Sequence, residues 1–154
     1  MNKIYKSNLQ GKHKKFDKIL YEKYDLPARE KIKQILGPFI HDNPNLYEQD
    51  FIINSEKCKY KYLEIQVCTN WVNEKYPYKN LYIYETKARF DDNTLFLTFN
   101  KFLTRGYIFD AISFKDSKPH RIKKYSRYFV YYIPWNKVLQ VYIDNLDKET
   151  FEMY

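Results

Sequence analysis

The sequence predicts an α/β (α+β) fold in which N-terminal helices pack on a mixed, mostly antiparallel central sheet. Three observations lead there. Apolar residues fall at helical spacing between Lys14 and Leu36, and in the two arms of the stretch from Asp50 to Gln66 Phe51 and Ile53, then Leu63, Ile65 and Val67, take every second position. The chain also carries 17 Tyr and 11 Phe, and aromatic side chains fit a pleated, half-buried surface. With 154 residues and 44% hydrophobic content, one domain with its own core is the simplest organisation, with residues 1–13 and 144–154 as flexible tails.

Phe16, Ile19, Leu20 and Tyr24 predict a first helix over Lys14 to Tyr24. Asp25-Leu26-Pro27 interrupts it, and Pro27 suits the first position of a second helix, Pro27 to Leu36, ended by Gly37-Pro38. Ala28, Ile32, Ile35 and Leu36 form its apolar stripe, with Glu30 on roughly the opposite side. His41 to Asn45 is a cluster of turn formers. Next comes a hairpin: Phe51 and Ile53, then Leu63, Ile65 and Val67, take one face of two strands joined by a polar turn. Leu81 to Phe90 reads as a strand that a turn at Asp91-Asp92-Asn93 pairs with Thr94 to Asn100 in a second hairpin. Further strands are expected at Arg105 to Ser113 and Tyr128 to Ile133, and Val138 to Ile143 forms a last short strand or helical turn.

A formal charge of +8 makes a polyanion such as DNA or RNA a natural partner through phosphate contacts. Arg121, Lys123, Lys124 and Arg127, beside Tyr128, Tyr131, Tyr132 and Trp135, are the candidate nucleic-acid-binding residues. Ordinary surface charge and sheet packing are the competing account. Cys58 and Cys68 have no CxxC spacing, no run is apolar enough to span a membrane, and the N-terminus lacks a leader-like core. An intracellular setting without a membrane partner is therefore expected. The three glycines form no phosphate-cradling loop, and the three histidines lack metal-ligand spacing, which disfavours nucleotide hydrolysis and His-based metal sites.

If the first hairpin turns around Lys57, Asp50 lies opposite Glu64 and Phe51 opposite Leu63. Two carboxylates would then sit roughly 5 Å apart, which is unfavourable unless positive charge lies between them. A divalent cation, Mg²⁺ or Mn²⁺, supplies it. The competing reading is a solvated sheet face with unrelated charges. Gln66 shares the face of Glu64, and a strand at residues 84–87 puts Glu85 and Lys87 together on a neighbouring face. Such a set could hydrolyse a phosphodiester. Asp50 and Glu64 would hold the metal, Lys87 would orient or help deprotonate the attacking water and neutralise charge, and Gln66 would hydrogen-bond water or phosphate.

Asp50, thirteen intervening residues and Glu64-Ile65-Gln66, behind a helix bearing Glu30, resemble the PD-(D/E)xK nuclease superfamily. The stretches Tyr-Leu-Glu-Ile-Gln-Val, Tyr-Glu-Thr-Lys-Ala-Arg-Phe and Thr-Leu-Phe-Leu-Thr-Phe-Asn-Lys are similar to members of that superfamily in large DNA viruses of protists. The resemblance implies a restriction-endonuclease-like fold with metal-binding acids on its second and third core strands. It also implies Mg²⁺- or Mn²⁺-dependent cutting of DNA, with Glu30 as an outer helper, in a host cytoplasm or virion; a homodimer fits this picture. Gln66 stands where the family has lysine, so either glutamine serves or Lys87 takes that place from a neighbouring strand. The proline usual before the first acid is missing. Two other readings stay open: a nuclease-like module that binds nucleic acid without cutting it, and a structural protein whose tyrosines form an interface.

Overall fold

A computed structural model of the chain describes residues 17–114, 116–122 and 129–154. The Asp17 carboxylate accepts hydrogen bonds from the backbone N–H groups of Ile19 and Leu20 and caps α1, Lys18–Leu20. The expected break at Asp25-Leu26-Pro27 does not occur. Instead, α1 runs through a π-helical turn, Tyr21–Asp25, straight into α2, Leu26–Leu36. Proline has no N–H to donate, and its ring crowds the carbonyl four residues back. The wider turn, in which the Leu26 N–H reaches the Tyr21 carbonyl, accommodates Pro27 without ending the helix. Gly37, at φ +55°, does end it, in a backbone region that side chains disfavour.

The strands that follow are β1 (Ile40–Asp42), β2 (Phe51–Ile53), β3 (Tyr62–Cys68), β4 (Leu81–Tyr84), β5 (Thr94–Asn100), β6 (Arg105–Asp110), β7 (His120–Arg121), β8 (Phe129–Ile133) and β9 (Leu139–Tyr142). Six of them form a mixed, mostly antiparallel sheet in the order β1-β2-β3-β5-β6-β9, in which only the β3–β5 pairing is parallel. Phe51 pairs with Leu63 and Ile52 with Tyr62, the register expected for the first hairpin. β1, in a stretch read from sequence as turn formers, adds an outer strand to it.

The expected second hairpin is not formed. β4 stops at Tyr84, where the N–H groups of Lys87 and Ala88 both fold back onto the Tyr84 carbonyl. It joins β8 and β7 in a separate three-stranded sheet, while β5 lies between β3 and β6. The segment expected as a tail also folds: Asp147 and Thr150 form a capping box for α3, Lys148–Met153, and Phe151 is 1% exposed against Phe39.

β5 is buried along its whole length because the large sheet is covered on both faces. Leu63, Ile65, Leu95, Leu97, Phe99 and Ile108 face the helices, packing with Ala28, Ile32 and Phe151. Phe96, Tyr107 and Phe109 face the small sheet, packing with Leu81, Ile83 and Ile133. Glu64 and Gln66 alternate with Leu63 and Ile65 and therefore belong to the small-sheet face. No described helix is long and apolar enough to cross a membrane. Truncating Phe151 to alanine removes a ring from the helix-side core. A loss of about 3–5 kcal/mol is expected in urea denaturation, whereas a peripheral C-terminal segment would show almost none.

Candidate active site

The site is assembled at the rung of the hairpin just beyond the Phe51–Leu63 pair. Burial of Phe51 and Leu63, both 0% exposed, holds β2 and β3 in register, and the next rung brings Asp50 to Glu64. The Asp50 N–H donates to Glu64 Oε1 (3.0 Å), and the Ile65 N–H donates to Asp50 Oδ2 (2.9 Å). Each carboxylate is thus fixed by the backbone of the opposite strand. The expected meeting of these two acids is what the structure shows.

Positive charge comes from two directions. Arg29 of α2 donates from Nη1 to Asp50 Oδ1 at 2.8 Å, and its Nη2 bridges to Asp42 Oδ1 at 3.1 Å, beneath a guanidinium that also lies over the Phe51 ring. Lys33 adds a 3.0 Å hydrogen bond to Asp42. That bond from Lys33, outweighing slight burial and reinforced by the Lys33 and Arg29 charges, holds the Asp42 carboxyl below its ordinary range. On the other side, Lys87 Nζ donates to Glu64 Oε2 and, at 3.2 Å, to the Ile65 carbonyl. Glu64 is 1% exposed, so this ion pair is a buried one on the carboxylate side. Burial by itself would depress the Lys87 ammonium, but the charges of Glu64 and Asp50 and the hydrogen bond to Glu64 prevail and raise it above the usual lysine range. Asp25 adds to that field.

The ammonium therefore occupies a niche where a carboxylate oxygen and a carbonyl oxygen converge, with Asp50 adjacent. Among the described residues no group of three or more His, Cys, Asp and Glu side chains is placed to hold a metal ion. A hard cation such as Mg²⁺ or Mn²⁺ needs fewer: one or two carboxylates, with water and phosphate oxygens completing an octahedron. Asp50, Glu64 and the Ile65 carbonyl are oxygen donors of that kind. Binding would require Lys87 to give up part of its contact with Glu64.

Not every residue picked from the sequence arrives here. Gln66 shares the face of Glu64, but its amide donates to Thr98 Oγ1 (2.7 Å) and toward the Tyr82 carbonyl (3.5 Å), which ties β3 to its neighbours. Glu85 does not share a strand face with Lys87, since both lie in the turn after β4; Glu85 is buried. Glu30 is exposed on α2. The helix instead delivers Arg29, and Asp25 stands one turn before it. Both were missed in the sequence, where an Asp–Arg pair four residues apart beside the buried Ala28 was the available signal. Arg121 is exposed on β7, whereas Lys123, Lys124 and Arg127 lie outside the described residues. Comparison with protein-family models, with curated proteins and with solved structures found no match.

Removing Lys87 strands a buried carboxylate. Lys87→Met is expected to cost about 3–5 kcal/mol and the double variant with Glu64→Gln to recover most of it, read as a denaturation cycle. The pH dependence follows from the raised lysine value: the pair contributes fully below about pH 10.5, and its contribution fades only as pH rises through the higher folded-state value. A loss in the double variant equal to the sum of the losses in Lys87→Met and Glu64→Gln alone would show that the two side chains are not coupled.

Proposed function

We propose that the chain is a metal-dependent nuclease that hydrolyses phosphodiester bonds in DNA. The observation that carries this reading is the convergence of Asp50, Glu64, the Ile65 carbonyl and the Lys87 ammonium at one rung of a hairpin. Phosphodiester hydrolysis needs oxygen ligands for a divalent cation and a positive group for the phosphate, and these four groups supply both. When bound, the cation neutralises charge on the phosphate and its leaving oxygen. Asp50 and Glu64 hold it, kept rigid by the N–H groups of Ile65 and Asp50. Lys87 brings its charge to a non-bridging phosphate oxygen and orients the attacking water. Arg29 acts as a positioning residue, fixing Asp50 from outside.

Further support comes from the arrangement of elements. A helix precedes a mixed sheet, and the acids lie just before β2 and inside β3, an order that suits the resemblance to PD-(D/E)xK nucleases. A net charge of +8 suits a polyanionic substrate, and two free cysteines suit an intracellular site of action.

A second reading is a nuclease-like protein that holds nucleic acid without cutting it. It is favoured by the satisfaction of the acids: all four carboxylate oxygens of Asp50 and Glu64 already accept a hydrogen bond. Purified protein, incubated with DNA or RNA in Mg²⁺ or Mn²⁺ and in EDTA, separates the two. Metal-dependent cutting is expected, falling at least about 100-fold in Asp50→Asn and Glu64→Gln while calorimetry shows Mn²⁺ binding weakened in the same variants. Absence of cutting with either metal removes the enzymatic reading. Salt-sensitive binding that survives loss of both acids then establishes the second.

A further inference from the structure

On β4, Leu81 and Ile83 are fully buried toward the large sheet, so Tyr82 and Tyr84 belong to the opposite face, where they are half-buried. Tyr82 is directly paired with Tyr132 of β8, which is 36% exposed, and the His120 ring lies 4.7 Å from Tyr132 at an angle of 32°. Tyr78, 40% exposed, continues the row: its ring centroid is 5.7 Å from that of Tyr82, and Tyr82 is 5.6 Å from Tyr84. The row therefore runs along the outer face of the small sheet, held ring against ring. Exposed Lys79 directly follows Tyr78 and puts positive charge at that end of the row, whereas Arg121 pairs with Phe129 and stands on the other face of the sheet.

This row leads to the acids. The Tyr84 carbonyl begins the turn that carries Lys87 to Glu64, and the Tyr82 carbonyl faces the Gln66 amide of β3. We propose that the tyrosine row is a stacking track for the unpaired bases of a single-stranded nucleic acid, which it feeds to the Asp50–Glu64 niche. The second half of that statement rests on the nuclease reading; the first does not. Every base has a π-face, so aromatic rings in series grip a strand whatever its sequence, while the Lys79 ammonium beside Tyr78 takes a phosphate. In a duplex those faces are stacked on one another and cannot reach the rings. The substrate class is accordingly single-stranded DNA or RNA, or the unpaired part of a branched or frayed molecule.

Binding is measured in EDTA by fluorescence anisotropy, using Asp50→Asn protein and labelled oligo-dT, oligo-rU and a duplex of the same length. The single strands are expected to bind at least about tenfold more tightly than the duplex. The variant Tyr78→Ala/Tyr132→Ala should lose about 10- to 100-fold in affinity, and Tyr78→Leu/Tyr132→Leu, which keeps bulk but has no π-face, a comparable amount. Tyr78→Phe/Tyr132→Phe should stay within about twofold. Equal affinity for duplex and single strands, or leucine variants that bind like the parent, overturns the track. Cleavage by the chain with intact acids is followed in parallel with Mn²⁺. Cutting without any effect of the aromatic substitutions overturns the track and spares the nuclease reading, whereas stacking without cutting does the reverse.

Discussion

The repulsion between Asp50 and Glu64 is the constraint around which this end of the molecule is arranged. Like charges brought together on adjoining strands destabilise one another unless positive charge is supplied. Nothing in the local backbone allows them to avoid each other. Their meeting follows from Phe51 and Leu63, which are fully buried, and a one-residue slip would turn both of those to the wrong face. The core therefore imposes the acid pair, and the pair in turn requires compensation. Arg29, Lys87 and two backbone N–H groups provide it. Such compensation is an expensive way to stabilise a fold, because taking charged groups out of water costs nearly as much as their pairing returns. A hydrophobic pair at the same rung would be simpler, and this is the physical reason to look for chemistry here.

How the compensation is distributed bears on what the site can do. Arg29 is bound on one side to Asp50 and on the other to Asp42, which Lys33 also holds. A bidentate guanidinium in such a network is not easily displaced. Lys87 is different. It is a point charge on a flexible stem, about a quarter exposed, and it arrives from a turn rather than from a strand. Of the two cations it is the one freer to move while Asp50 remains anchored.

Much of this end was legible in the sequence, because period-two alternation reports which side of a strand each residue faces and a short polar turn limits the register. What alternation does not report is the partner. Residues 94–100 read plainly as a strand, yet their neighbours are β3, in parallel across some thirty intervening residues, and β6. Local pattern favoured a hairpin with residues 81–90. The helix boundary differs for a related reason: a proline inside a periodic run reads as a break, while the π-helical turn at Tyr21–Asp25 accommodates it. Two adjoining acids call for a base, and the helix supplies Arg29 from the position next to Glu30, the acid that the resemblance singles out. At the C-terminus the Asp147–Thr150 capping box was present in the sequence, but one buried ring, Phe151, is too little periodicity to announce a helix.

The turn after β4 is what converts a charged hairpin into a candidate site. Had the strand continued to Phe90, Lys87 would stand about 10 Å beyond Tyr84 along the strand axis, given a rise near 3.3 Å per residue. Instead its N–H returns to the Tyr84 carbonyl at 2.9 Å, and the side chain reaches sideways to Glu64 and the Ile65 carbonyl. The small sheet has to be in place for this to happen, since β4 is positioned by its pairing with β8 and by the packing of Leu81 and Ile83 on the aromatic core. Glu64 therefore meets its cation only when both sheets have formed and docked. The niche is complete only with both sheets docked, and β4 leads directly into the turn that carries Lys87.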